Sequence, residues 1–153
     1  MASTLSKKQW SEILRNTELT HEMDLAIFQI LYSSNEYKAY ASQIGILLGY
    51  QGTHPHAPLN SEIGRYAKRI ARFYDIQLTQ RSSKRYKYWD LFFNGWEEGR
   101  FFVWQLKPEL VDALVDCHLT GEQPYAEELV FDPETEFYEG AKKPSSLTLM
   151  KEI

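Results

Sequence analysis

Cysteine is nearly absent: Cys117 is the only one among 153 residues. That excludes an internal disulfide and any cysteine-based zinc site, and it fits a reducing cytoplasm. No apolar run approaches the roughly 20 residues of a membrane helix, and no signal peptide precedes Trp10. The glycines never gather into a phosphate-cradling loop, and no segment repeats. A catalytic constellation is missing as well. The acids Glu127, Glu128, Glu134, Glu136 and Glu139 have no matching His or Cys, and nothing in the spacing of Ser61, His56 and Asp75 supports a nucleophilic triad. His54 and His56 stand two residues apart, but no second His or Cys cluster supplies further ligands. They read as exposed loop histidines that touch a phosphate at most. Neither metal nor cofactor is expected, and enzymatic activity is not.

What remains has the composition of an ordinary soluble domain, with 43% hydrophobic and 25% charged residues. Its net charge of −4 conceals a strong asymmetry. Between Glu62 and Tyr88, eight basic residues (Arg65, Lys68, Arg69, Arg72, Arg81, Lys84, Arg85, Lys87) face two acids, a net +6. Between Glu109 and Ile153, eleven acids face three lysines, a net −8. A basic patch in an acidic chain is a nucleic-acid footprint that the total charge hides.

Hydrophobic spacing predicts a helix over 7–15 with Ser6 as its cap, and a second over 22–32 capped by Thr20. A short helix from Ala41, carrying Ile44, Leu47 and Leu48, stops at Gly49. Gly52, Pro55 and Pro58 mark 51–59 as a loop. A helix over 61–74 follows, apolar at Ile63, Tyr66 or Ala67, Ile70 and Phe73 or Tyr74, and basic at Arg65, Lys68, Arg69 and Arg72. From Ile76 the period changes to two, and a short strand is expected at 77–80. The run Tyr86–Phe93 and the run Arg100–Leu106 then form a hairpin around Asn94-Gly95, with Trp96 at its tip. Pro108 opens a last helix with Leu110, Val111, Leu114 and Val115 inward. The fold expected is α+β, mostly α. It is a winged helix, a helix-turn-helix plus a β-hairpin wing, over 1–118, with an extended acidic tail or linker over 119–153.

One-signed charges on a helix are usually just a solvated face. Here the same sign continues through Arg81, Lys84, Arg85 and Lys87, the clustering that phosphate binding requires. The helix 61–74 is therefore expected in a major groove, its cations divided between phosphates and base edges, with Trp96 as a wedge or stacking platform.

These pieces resemble the amino-terminal region of McrA-like HNH restriction endonucleases. The matching stretches are Ser42-Gln43-Ile44 with Leu48-Gly49-Tyr50, Ile63-Gly64-Arg65 with Lys68-Arg69-Ile70, and Phe93-Asn94-Gly95-Trp96. The longest runs from Phe102 to Leu110 with Ala113-Leu114, and Phe137–Lys143 is similar to the lead-in to the HNH nuclease. The resemblance implies a reader of double-stranded DNA, often with modified cytosine, from a phage-defence restriction system. The HNH histidines and zinc-binding Cys pairs do not occur in this chain, so DNA recognition carries over and cleavage does not. The competing expectation is a protein-interaction module of a defence or anti-defence system that binds no DNA.

Overall fold

Ser6 and Gln9 start the first helix reciprocally: the Ser6 hydroxyl accepts the Gln9 N–H at 3.1 Å, and the Gln9 side chain accepts the Ser6 N–H at 2.9 Å. In the computed structural model, which describes residues 4–121, this helix is α1 (Lys7–Arg15). It is followed by α2 (Glu22–Ser33), β1 (Lys38–Tyr40), α3 (Ala41–Leu47), α4 (His56–Ala71), β2 (Phe93–Glu98), β3 (Phe101–Leu106) and α5 (Pro108–Asp116). The described residues thus form an α+β fold of five helices and one antiparallel sheet, in the order β1–β3–β2. The acidic tail expected over 119–153 lies outside them from residue 122 onward.

Trp10, Ile13 and Leu14 are buried where α1 packs on α5, against a face that buries Leu110, Ala113 and Leu114. Phe92 is the centre of the aromatic core. Its ring stacks on Tyr66 at 4.9 Å and lies 5.5 Å from Trp10 and 5.9 Å from Phe28. Phe93 stacks on Trp104 at 4.7 Å. Such pairs add about 0.5–1.5 kcal/mol each beyond the area they bury. Helices α1 and α2 and the sheet are thereby joined through Phe92 and Phe93 to Tyr66 on the inner side of α4.

Several sequence expectations shift. Thr20 does not cap α2; His21 does, and its N–H donates to Asp24 at 2.9 Å. The Thr20 hydroxyl instead lies 2.8 Å from the Ile13 carbonyl and 2.7 Å from the Tyr66 hydroxyl. The segment 51–59 is not all loop. Helix α4 begins at His56 with Pro58 inside its first turn, where a missing N–H costs nothing, and it ends at Ala71. Of the pair Phe73 or Tyr74 expected on the apolar face, Tyr74 is the one that packs partly buried against the core, and Phe73 is 65% exposed.

The hairpin is also displaced along the chain. Tyr88–Leu91 is a single 3-10 turn, and β2 starts only at Phe93. Asn94 and Gly95 lie within β2, opposite Gln105 and Trp104, and the chain reverses at Gly99-Arg100 with Gly99 at φ 62°. A Cβ on Gly95 would run into the Trp89 and Phe102 rings. The glycine serves side-chain packing across the sheet rather than a turn.

Candidate nucleic-acid interface

Between α4 and β2 the chain makes an excursion that periodicity does not foreshadow. The Lys87 N–H donates to the Thr79 carbonyl at 2.8 Å, and Gln80 bridges Tyr86 antiparallel. The Arg81 N–H then donates to Arg85 at 2.7 Å, and the Lys84 N–H back to Arg81 at 2.9 Å. With Lys84 at φ 67°, this is a three-residue hairpin loop, Ser82-Ser83-Lys84, closed by a left-handed residue. The strand expected at 77–80 reduces to one bridge in this ribbon. At its foot the Thr79 hydroxyl donates to Asp90 at 2.6 Å, and the Lys87 ammonium lies 5.3 Å from the Trp89 ring. Arg81, Lys84 and Arg85 are exposed, and among the described residues none forms an ion pair.

The cations of α4 are placed differently. Arg69, expected at the DNA face, turns inward and is only 17% exposed at its side chain. It donates to the Leu19 carbonyl at 2.9 Å and to Asp24 at 2.7 Å, so its fork is consumed inside the protein. Arg65 is exposed but donates to Glu62 one turn earlier at 2.9 Å. Lys68 lies 5.3 Å over the Tyr88 ring. Arg72 is exposed at the helix end. Trp96 is no wing tip: it sits mid-strand opposite Val103, half-buried beside Tyr40 and Phe101, with the Lys38 ammonium 5.9 Å from its ring.

The other end of α4 is the one the geometry presents. Gly49, at φ 93°, ends α3, with the Tyr50 N–H reaching back to Gly45 at 3.0 Å. A Cβ on Gly45 would collide with the Pro55 carbonyl, so this glycine lets α3 cross close against the start of α4. The segment leading into α4 exposes His54, and the first turns of the helix expose Ala57, Asn60 and Ser61. Burial, and secondarily His54, hold the His56 imidazole below its ordinary pKa. Of these, sequence reasoning names only the histidines as phosphate contacts, because periodicity starts the helix five residues too late.

Between this helix start, the ribbon and the inner face of the β2–β3 hairpin lies an open cleft of about 750 Å³. Helices α3 and α4 contribute Ser42, His56 and Asn60, and the ribbon contributes Gln80, Arg81 and Ser82. The far wall is aromatic, with Trp89, Phe102 and Trp104, and carries the Glu97 carboxylate. Trp104 is 1% exposed, and its indole N–H has no hydrogen-bond partner among the described residues. Nothing in the sequence pointed to this cleft, since six separate segments build it.

Behind α4, His21, Asp24 and Glu62 bring ligand-type atoms within 4.8 Å of one another, the only such group among the described residues. The Arg69 guanidinium already occupies the charge position a cation would take. Burial, and then the shared hydrogen bond with Glu62, push the Asp24 carboxyl up to about 8. Burial also acts to raise Glu62, but its bonds to Asp24 and Arg65 outweigh that and hold it below the usual range. One proton on Asp24 and one charge on Glu62, facing Arg69, make this a structural ion-pair network.

Among the described residues no helix is long and apolar enough to cross a membrane. No family model, curated protein or solved structure matches the chain.

Proposed function

We propose that the chain binds double-stranded DNA as a winged-helix reader, the part played by such domains in restriction and defence systems. The order helix, strand, helix, helix, strand, strand from α2 to β3, with the sheet ordered β1–β3–β2, suits that fold. The ribbon 79–87 takes the place of the wing. The observation that carries the reading is the set of exposed cations Arg81, Lys84 and Arg85, free of ion pairs among the described residues, beside the start of a helix that follows a helix and a turn. Recognition helices contact base edges with their N-terminal residues, which assigns that role to His54, His56, Asn60 and Ser61. Lys68 and Arg72 on the exposed side of α4 reach the flanking phosphates. Modified cytosine, which the McrA-like resemblance implies, is the first base variant to compare with plain duplex.

The test is fluorescence anisotropy on labelled duplex across a salt series. Affinity should fall steeply with salt. Replacing Arg81, Lys84 and Arg85 together by Ala should weaken binding at least tenfold at low salt. It should also flatten the log–log salt slope by about 2–3, since each phosphate no longer neutralised lowers the slope by about 0.9. No affinity for any duplex at low salt would overturn the reading and favour a protein-interaction module.

A further inference from the structure

We propose that the cleft between the ribbon, the start of α4 and the hairpin receives a single extrahelical nucleobase. The inference rests on the DNA-binding reading and adds to it the part of the DNA that is read and how. Three features of the cleft select this ligand. The first is its wall of Trp89 and Phe102, whose rings lie 5.1 Å apart, with Trp104 beyond. Aromatic side chains stack on every base, because every base has a π face. The second is the Trp104 indole N–H, buried and without a hydrogen-bond partner among the described residues. Buried donors are almost always satisfied, so this one points to a ligand that brings an acceptor, such as a ring nitrogen or keto oxygen. The third is the charge distribution. Arg81 and Lys87 stand at the ribbon side, and Glu97 and Arg100 on the hairpin side. The three cations suit the phosphates of a nucleotide, and a base with an exocyclic amine offers the Glu97 carboxylate a hydrogen. Arg81 and its neighbours on the ribbon remain available to the backbone of the same nucleotide.

The cleft has room for a base together with its sugar, and its position suits one. A volume of about 750 Å³ falls among small-molecule sites, which run to about 300–1,000 Å³. The cleft adjoins the surfaces that the duplex would cover, so a base rotated out of the stack can enter without the backbone leaving the cations. Extrusion costs least where pairing is already weak, and that makes the proposal measurable.

The experiment uses the whole chain and three labelled duplexes differing at one central position: a C·G pair, a C·A mismatch, and an abasic site in place of the C. Binding to the mismatch should be about fivefold or more tighter than to the matched duplex, with no such gain for the abasic duplex. Trp104→Phe keeps the ring against Phe93 but removes the N–H, and should abolish the mismatch preference while leaving the salt slope intact. Asn60→Ala, at an exposed position, supplies a second variant of the cleft wall should Trp104→Phe unfold, and should reduce the preference. Matched and mismatched duplexes bound alike, with a normal salt slope, would overturn the cleft proposal and leave DNA binding standing. Equal gains for mismatch and abasic duplexes would show a response to flexibility alone, which also overturns it. Failure to bind any duplex would remove both readings together.

Discussion

Two groups of cations lie within thirty residues of each other and do different work. On α4, Arg65 and Arg69 have carboxylate partners, and Arg69 also donates to a backbone carbonyl fifty residues away in the chain. On the ribbon, Arg81, Lys84 and Arg85 have no ion pair among the described residues and extend from a two-stranded stem. The first group fixes the helix to the body of the protein; the second leaves its charge for something else. Charge of one sign on one stretch is therefore not one site. What separates the groups is whether a carboxylate from elsewhere in the fold reaches them.

The sharpest way to break this contrast is to remove one cation from each side. Arg69→Ala leaves the fully buried Asp24 facing Glu62 without the guanidinium between them. Losing one partner of a buried pair costs about 3–5 kcal/mol, and the proton that Asp24 already holds at neutral pH lessens that. A loss of about 2–4 kcal/mol is expected in urea unfolding, against less than about 0.5 kcal/mol for Arg85→Ala. DNA affinity should show the reverse order in variants that remain folded. Equal stability losses would mean that the ribbon is as deeply engaged as α4.

The two groups differed in how far a sequence could reveal them. The Ser6–Gln9 cap and the Gly49 stop were legible because each depends on residues within a turn of one another. Arg69 was not, because its partners Leu19 and Asp24 are distant in the chain and helical periodicity does not register them. Asn94-Gly95 looked like a hairpin turn, yet its glycine is required by the Trp89 ring on the neighbouring face. Strand β1, three residues long, is too short for an alternation to show. The ribbon's charge was visible in sequence; its shape depended on a left-handed lysine that no turn rule favours. The cleft was invisible, because it exists only once the ribbon and the start of α4 face the hairpin.

A smaller effect separates the groups by pH. The unfolded Asp24 carboxyl loses its proton near its ordinary value, about 3.9, whereas in the folded chain it holds it up to about 8. Between those values the folded state binds more protons, so stability falls as pH rises and levels off above the folded value. Glu62 acts oppositely, contributing stability above its ordinary range that is lost as pH falls through its depressed value. From pH 5 to 8 the Asp24 effect dominates, and a loss on the order of 1–2 kcal/mol is expected, since Glu62 and Arg69 share in the proton's release. Asp24→Asn can still accept from His21 and Arg69 while its amide donates to Glu62, so this variant should flatten the profile. Ribbon substitutions should leave it unchanged. Chemical unfolding at a series of pH values reads both, and a wild-type stability that rises steadily from pH 5 to 8 would show that Asp24 is ionised in the fold.

The smallest expected effect lies within the ribbon, at Lys84. A left-handed conformation costs a residue with a Cβ about 1–2 kcal/mol relative to the right-handed one, and glycine adopts it freely. Glycine also loses more entropy on folding, which returns part of that gain. Lys84→Gly should therefore stabilise the domain by about 0.5 kcal/mol, a rise of a few degrees at most in melting temperature. The same substitution removes one cation from the tip, so DNA affinity should drop and the salt slope should flatten by about 0.9. Stability and binding thus move in opposite directions at one residue, as expected where a lysine is held in an unfavourable conformation for its charge. Lys84→Asn tests the attribution, because asparagine tolerates the left-handed region and lacks the charge; it should lose the same affinity with little change in stability. If Lys84→Gly instead destabilises the domain by a measurable amount, the lysine stem packs where the ribbon meets the body. The tip would then belong with the anchored cations of α4 rather than opposite them.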